Sequence, residues 1–287
     1  MSDESSETKP ARAGAAAKAE KNEVRFLKRE LQKMARLQQH LRDKFEVLHE
    51  GANRLHEALA RLGPVDYPDE LKPVIRLEGG RTDVQFLSFA GLNLAMGMPP
   101  FEFLRSLSGR DVPGWFIKDF HQSWYQKGLL GITQNVTETR DFLRGLVGPP
   151  GERRLVTVGA SSGGYAAIVY GCWLGAERAV AFSPQTLINR RIVSQYAAID
   201  TPETLRFLDK SAGILNLRIF LQQQEHMPEI TVYYGSDHEQ DTKEALHLEG
   251  LPGVTLVPVS GVEGHSVTGH LRKRGELDGI LDKLVTF

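Results

Sequence analysis

Four residues stand where chemistry could be done: Ser161, Asp237, Asp241 and His265. Ser161 lies in Gly159-Ala160-Ser161-Ser162-Gly163, a Gly-x-Ser-x-Gly pattern. An apolar run, LVTV at 155–158, leads into it, and small residues followed by a helix-forming run lead out. That order predicts a strand, a tight turn and a helix, with a serine hydroxyl presented at the turn. Glycines at 159 and 163 leave room for such a turn, and Gly164 lets the helix pack closely. The first turn of a helix offers N–H groups and the positive end of a dipole, so the Ser162 N–H is a candidate to stabilise an oxyanion. The chemistry expected of this arrangement is attack by a serine on an acyl carbon. A P-loop is excluded because no Gly-Lys-Ser/Thr follows, and the Gly-x-Gly-x-x-Gly of a dinucleotide site is absent.

A nucleophilic serine needs a base, and the base needs a carboxylate to fix its tautomer. At a strand–turn–helix serine these partners follow in the order Ser, Asp, His. ITVYY at 230–234 is followed by Gly235-Ser236-Asp237-His238-Glu239-Gln240-Asp241, and TLVPV at 255–259 by Ser260-Gly261-Val262-Glu263-Gly264-His265. Both sets lie just past the carboxyl end of a predicted strand, where open parallel sheets bind ligands. His265 is therefore the expected base. Asp237, nearer the strand end, is the preferred acid. Asp241 is the alternative, although an Asp there could simply cap the helix of DTKEALHL. A second oxyanion donor is expected from the loop at 89–93, through the N–H of Gly91 or Leu92. The aromatic run WFIKDFHQSWY at 115–125 is expected in the core and at the rim, and Ser183-Pro184-Gln185 could turn polar groups toward the site.

The elements that must position these residues read as an alternation. Short apolar runs at 83–89, 115–118, 155–158, 179–182, 230–234 and 255–259 predict strands. Helical patterning is expected at 133–147, 162–173, 242–249 and 267–284. Strands alternating with helices imply crossovers, hence an α/β fold with a mostly parallel sheet flanked by helices over residues 74–287. Residues 187–228 interrupt the strand rhythm with helical patterning and read as a short lid-like insertion.

The N-terminal part differs. Residues 1–22 hold almost nothing large and apolar and are expected to be disordered. From 23 to 63 a long helix is expected. Positions 27, 31, 34, 38, 41, 45, 48, 52, 55, 59 and 62 step by four and three, and nine of these eleven are large and apolar. Gln38 and Ala52 interrupt this heptad seam, and Gly63-Pro64 ends it. Residues 23–62 are read as a coiled coil that joins copies of the chain or binds a partner helix, rather than an amphipathic helix folded back on its own domain.

Composition bounds the rest. In 287 residues there are 35 Lys+Arg and 36 Asp+Glu, a net charge of −1, which argues against a nucleic-acid partner. No apolar run reaches about 18 residues, so no transmembrane segment is expected. The N-terminal stretch lacks the apolar region of a secretory signal. The single cysteine, Cys172, allows no intrachain disulfide and no cysteine-based zinc site, and a cytoplasmic location is expected. Neither a metal nor an organic cofactor is implied.

With these residues in place, the sequence resembles the α/β-hydrolase superfamily. The matching stretches are GASSGG at 159–164, the GSD…D region at 235–241 and GH at 264–265. More narrowly it is similar to bacterial α/β-hydrolase-like proteins of poorly defined substrate, through GLLGI (128–132), GASSGGYAA (159–167), AVAFSPQT (179–186) and GHSVTGHLRKRGELDGIL (264–281). In that group the resemblance points to an acid nearer Asp241, so the choice of aspartate stays open. The chain departs from larger superfamily members in two ways. The segment between Ser183 and Pro228 is short for a full lid domain, and Phe89-Ala90-Gly91 stands where some members carry HGGG. Both departures argue against a lipase. The expected activity is hydrolysis of a small-molecule ester or thioester through an acyl-enzyme on Ser161. Acyl transfer by the same residues is the near alternative, and a non-catalytic hydrolase-fold scaffold assembled through the coiled coil is the rival from another class.

Overall fold

The computed structural model describes residues 69–92, 101–196 and 214–286, together with part of the stretch 28–54. The chain divides into two units, Met1–Leu48 and His49–Phe287. The described residues between 28 and 54 are α-helical. Glu30 pairs with Lys33 at 2.6 Å and Glu50 with Arg54 at 3.2 Å, spacings of three and four that put each pair on one side of a helix. Leu31 and Met34, two members of the heptad seam, are exposed, as is Val47. The other seam positions, the tail at 1–22 and the Gly63-Pro64 stop lie outside the described residues. No helix among the described residues is long and apolar enough to cross a membrane.

The remaining residues build a seven-stranded sheet. Its strands are β1 (Val74–Leu77), β2 (Val84–Phe89), β3 (Gly114–Ile117), β4 (Arg154–Ala160), β5 (Arg178–Phe182), β6 (Glu229–Gly235) and β7 (Val254–Val259). Their order across the sheet is β1-β3-β2-β4-β5-β6-β7. Only β1 is antiparallel to its neighbour, β3; the other pairings are parallel. The connecting helices are α1 (Leu104–Leu107), α2 (Val136–Val147), α3 (Ser162–Leu174), α4 (Arg190–Tyr196), α5 (Leu217–Gln222), α6 (Glu239–Leu246), α7 (Val267–Lys273) and α8 (Leu277–Val285).

The parallel strands are apolar on both sides because both faces are covered. Leu87, Phe89, Leu155, Ala179 and Ala181 face one core, which α3 fills together with Leu143 and Val147 of α2 and Phe220 of α5. Val84, Phe86, Val156, Val158, Val180 and Phe182 alternate with them into a second core under α7 and α8. Helix α3 lies against the centre of the sheet and is buried from Ser162 to Cys172, which explains why it carries no charged residue. Asn135 caps α2, accepting the Glu138 N–H at 2.9 Å, and Glu138 returns a carboxylate to the Gln134 N–H at 2.8 Å.

Three sequence expectations are adjusted. Strand β1 was not anticipated. The single helix expected over 267–284 is two helices, broken where Gly275 adopts φ 71°. The helix expected from 242 begins at Glu239, with His238 as its N-cap, so Asp241 is not a cap but sits in the first turn. The insertion at 187–228 supplies α4 and α5, whose flanks are tied by Ile188 N–H to Leu215 O at 2.7 Å; residues 197–213 lie outside the described residues.

Candidate active site

Ser161 sits between the last residue of β4 and the first of α3. Its backbone is at φ 55°, ψ −122°, a conformation that costs an L-residue energy and is kept only where the surroundings impose it. The surroundings here are backbone against backbone. A Cβ on Gly159 would stand 2.1 Å from the carbonyl oxygen of Gly163, and one on Gly163 would stand 2.1 Å from that of Phe89. The Ser161 N–H donates to Phe182 O at 2.8 Å, fixing the turn to β5.

The Ser161 hydroxyl meets His265 Nε2 at 2.9 Å. On the other side of the ring, His265 Nδ1 lies 2.6 Å from Asp241 Oδ1. Asp241 is buried. Burial alone would push its pKa up, but the hydrogen bond and charge of His265 prevail and hold it below the ordinary value. Asp237, the aspartate preferred from sequence, is not the one hydrogen-bonded to His265. Asp237 accepts the Gly261 N–H on Oδ2 at 2.6 Å, which ties the loop after β6 to the loop carrying His265. It missed the ring because the helix starts three residues early and turns Asp241, not Asp237, inward.

Among the described residues one cluster offers three metal-ligand atoms, from His238, Asp241 and His265. His238 Nδ1 is 2.9 Å from the same Asp241 Oδ1, without hydrogen-bond geometry. Zinc bonds of ~2.0–2.2 Å in a tetrahedron would separate ligand atoms by roughly 3.3 Å. The contacts of 2.6 and 2.9 Å are hydrogen-bond and ion-pair distances, shorter than the spacing of ligand atoms around a tetrahedral zinc.

Of the expected oxyanion donors, Ser162 and Gly91 lie beside Ser161, and the N–H of Gly91 is engaged. Ser162 is the first residue of α3. Gly91 approaches the turn so closely that a Cβ on it would be 2.8 Å from Ala160 O. Its N–H, however, donates to Glu102 Oε2 at 3.1 Å. Burial pushes the Glu102 pKa up to about 7, against the bonds from the Gly91 and Ala160 backbone. Glu102 also lines, with Phe101, Thr268 and Arg272, an open cavity of about 570 Å³. Leu92 follows Gly91 and is half-buried.

One site residue was only glimpsed from sequence. Gln185 is buried, with Nε2 at 2.9 Å from Ser161 Oγ and 3.1 Å from His265 Nε2. Its segment is anchored by Glu244 of α6, whose carboxylate accepts the Thr186 N–H at 2.6 Å. Its other amide atom, Oε1, accepts the indole N–H of Trp124 at 3.0 Å. Trp124 thus faces the site from the aromatic run expected in the core and at the rim. That run is held in a tight loop with φ 53° at Trp124 and 61° at Tyr125. Asp119 secures it by accepting the Ser123 and Tyr125 N–H groups at 2.7 and 2.8 Å.

The sheet order, the crossover helices and a serine at the turn after a central parallel strand define the α/β-hydrolase fold. The protein has that fold. It is similar to the capsule O-acetyltransferase of Neisseria meningitidis serogroup A, with a TM-score of 0.56, 12% identity, and coverage of 73% of this chain and 90% of that one. The S-formylglutathione hydrolase of Staphylococcus aureus aligns more loosely, at TM-score 0.48 and 13% identity over 71% of this chain and 90% of that one. So does MGS-MChE2, an α/β-hydrolase enzyme from the sediment metagenome of the Mar Chica lagoon, at 0.45 and 14% over 73% and 94%. No family model and no curated protein matches the sequence.

Proposed function

We propose that the protein is a serine hydrolase that cleaves carboxylic ester or thioester bonds through an acyl-enzyme on Ser161. The observation that carries this reading is the hydrogen-bonded line from Ser161 Oγ through His265 to the buried Asp241, at 2.9 and 2.6 Å, set on a strained strand–helix turn. In this reading Ser161 attacks the acyl carbon while its proton passes to His265 Nε2. The Asp241 carboxylate stabilises the resulting imidazolium and keeps its ring oriented. The N–H groups of Ser162 and Leu92 take the developing oxyanion, with Gly91 held in reserve by Glu102. The tetrahedral intermediate collapses, the leaving group takes the proton from His265, and water repeats the sequence in reverse to free Ser161.

If a hydroxyl of a second substrate replaces water, the same residues transfer the acyl group. The fold shared with the Neisseria capsule O-acetyltransferase favours keeping this second reading. Residues 23–62 would join copies of the chain through the heptad seam, in a cytoplasmic protein with a reduced cysteine.

A fluorophosphonate probe tests the central claim. It should label the wild-type protein and neither Ser161→Ala nor His265→Ala. A well-folded wild type that resists labelling would turn the reading toward a non-catalytic scaffold.

A further inference from the structure

We infer that Gln185 is a catalytic residue that binds the leaving-group oxygen, and that it makes the site selective for oxygen esters over thioesters. The inference rests on the reading of Ser161 as nucleophile and His265 as base.

The amide has only one consistent orientation. An indole N–H donates and cannot accept, so the group facing Trp124 Nε1 at 3.0 Å must be the amide oxygen. The NH2 group is thereby turned toward Ser161 Oγ at 2.9 Å and His265 Nε2 at 3.1 Å. Gln185 Oε1 also lies 3.3 Å from Ser161 Oγ, but the hydroxyl proton has the shorter path, 2.9 Å, to His265 Nε2. Trp124 cannot drift, since it is fully buried in a loop that Asp119 pins at two N–H groups.

Consider what this NH2 group meets during acylation. In the resting site it donates to a lone pair of Ser161 Oγ. When Oγ attacks, that oxygen bonds to the acyl carbon and its proton moves to His265 Nε2. The scissile bond then breaks, its electron pair goes to the leaving atom, and that atom takes the proton from His265 Nε2. To do so it must come within about 3 Å of Nε2. Gln185 Nε2 stands 3.1 Å from that nitrogen, so an atom that approaches His265 Nε2 comes within hydrogen-bond reach of the Gln185 NH2 group. The amide proton is donated as a hydrogen bond and is never transferred. An alkoxide-like oxygen accepts such a bond well and needs it. Sulfur is a weak acceptor, and a thiolate leaves without help. The donor therefore lowers the barrier for oxygen leaving groups and does little for sulfur. By microscopic reversibility it also holds the oxygen of the incoming water or alcohol.

The test compares kcat/KM, which reports acylation, on matched pairs of ethyl esters and S-ethyl thioesters with two to eight acyl carbons. Gln185→Leu removes the donor, and Gln185→Glu removes it while keeping an acceptor for Trp124. Both should lose about 10-fold or more on the oxygen esters and change by no more than about threefold on the thioesters. Trp124→Phe, a change at a positioning residue, should shift the ester-to-thioester ratio in the same direction by less. An equal loss on both substrate types would make Gln185 structural and overturn the assignment. So would an unchanged ratio, or a wild type that is labelled at Ser161 yet turns over none of the oxygen esters. Failure of the wild type to label at Ser161 is a separate result, and it would remove the parent reading instead.

Discussion

The Glu102 carboxyl accepts the backbone N–H of Gly91, at 3.1 Å, beside the turn that holds Ser161. Burial raises its pKa from 4.5 to about 7. Between those two values an unfolded chain has lost the proton and the folded protein has kept it. Folding then takes up a proton, so this group's contribution to stability is complete below pH 4.5 and lost as pH rises through about 7. Glu102→Gln keeps an acceptor for Gly91 but cannot ionise. Its urea midpoint should gain on the wild type between pH 5 and pH 8. Parallel midpoints across that range would mean that the Glu102 carboxyl titrates alike in the folded and unfolded chain.

The two aspartates after β6 should separate cleanly. Asp241→Asn replaces the carboxylate on His265 Nδ1 with a neutral amide whose NH2 can favour the wrong ring tautomer, and should lower kcat by about 10²–10⁴-fold with the fold intact. Asp237→Asn weakens a bond to Gly261 and should cost about 1 kcal/mol of stability with kcat nearly unchanged. Ester hydrolysis and chemical denaturation on the two variants distinguish these outcomes.

At Ser161 the backbone conformation, φ 55° and ψ −122°, suits glycine better than any L-residue. Ser161→Ala and Ser161→Gly should both abolish turnover. The glycine variant should nevertheless be the more stable of the two, by about 1 kcal/mol, because strain is relieved. Equal melting temperatures would mean that the turn carries little strain.

Gly159→Ala should be among the most damaging single changes. The new methyl would meet the Gly163 carbonyl at 2.1 Å, and both partners are backbone in the central strand–helix unit. A loss of about 3 kcal/mol or more, or failure to fold, is expected on denaturation.

Much of this arrangement could be read from residue order. The apolar runs located six of the seven strands, because parallel strands covered on both faces stay apolar along their length. The missing one, β1, is a four-residue edge strand, VIRL, with an outward arginine and an antiparallel partner, which looks like loop in isolation. Ser161 and His265 were legible because each follows a recognisable strand. The acid was harder: the run Asp237-His238-Glu239-Gln240-Asp241 is uniformly polar, and only the helix register decides which carboxylate turns inward. Gln185 could be placed near the site but not given a partner, since Trp124 reaches it across 61 residues of sequence.

Cys172 bears on how the protein can be studied. The thiol is buried in α3 and its pKa is pushed up to about 12, so it holds almost no nucleophilic thiolate near neutrality. For thiol-directed reagents the native chain behaves as if it were cysteine-free. Single cysteines can be introduced along residues 23–62 without removing the original, and dyes or spin labels attached there report directly whether two such segments come together.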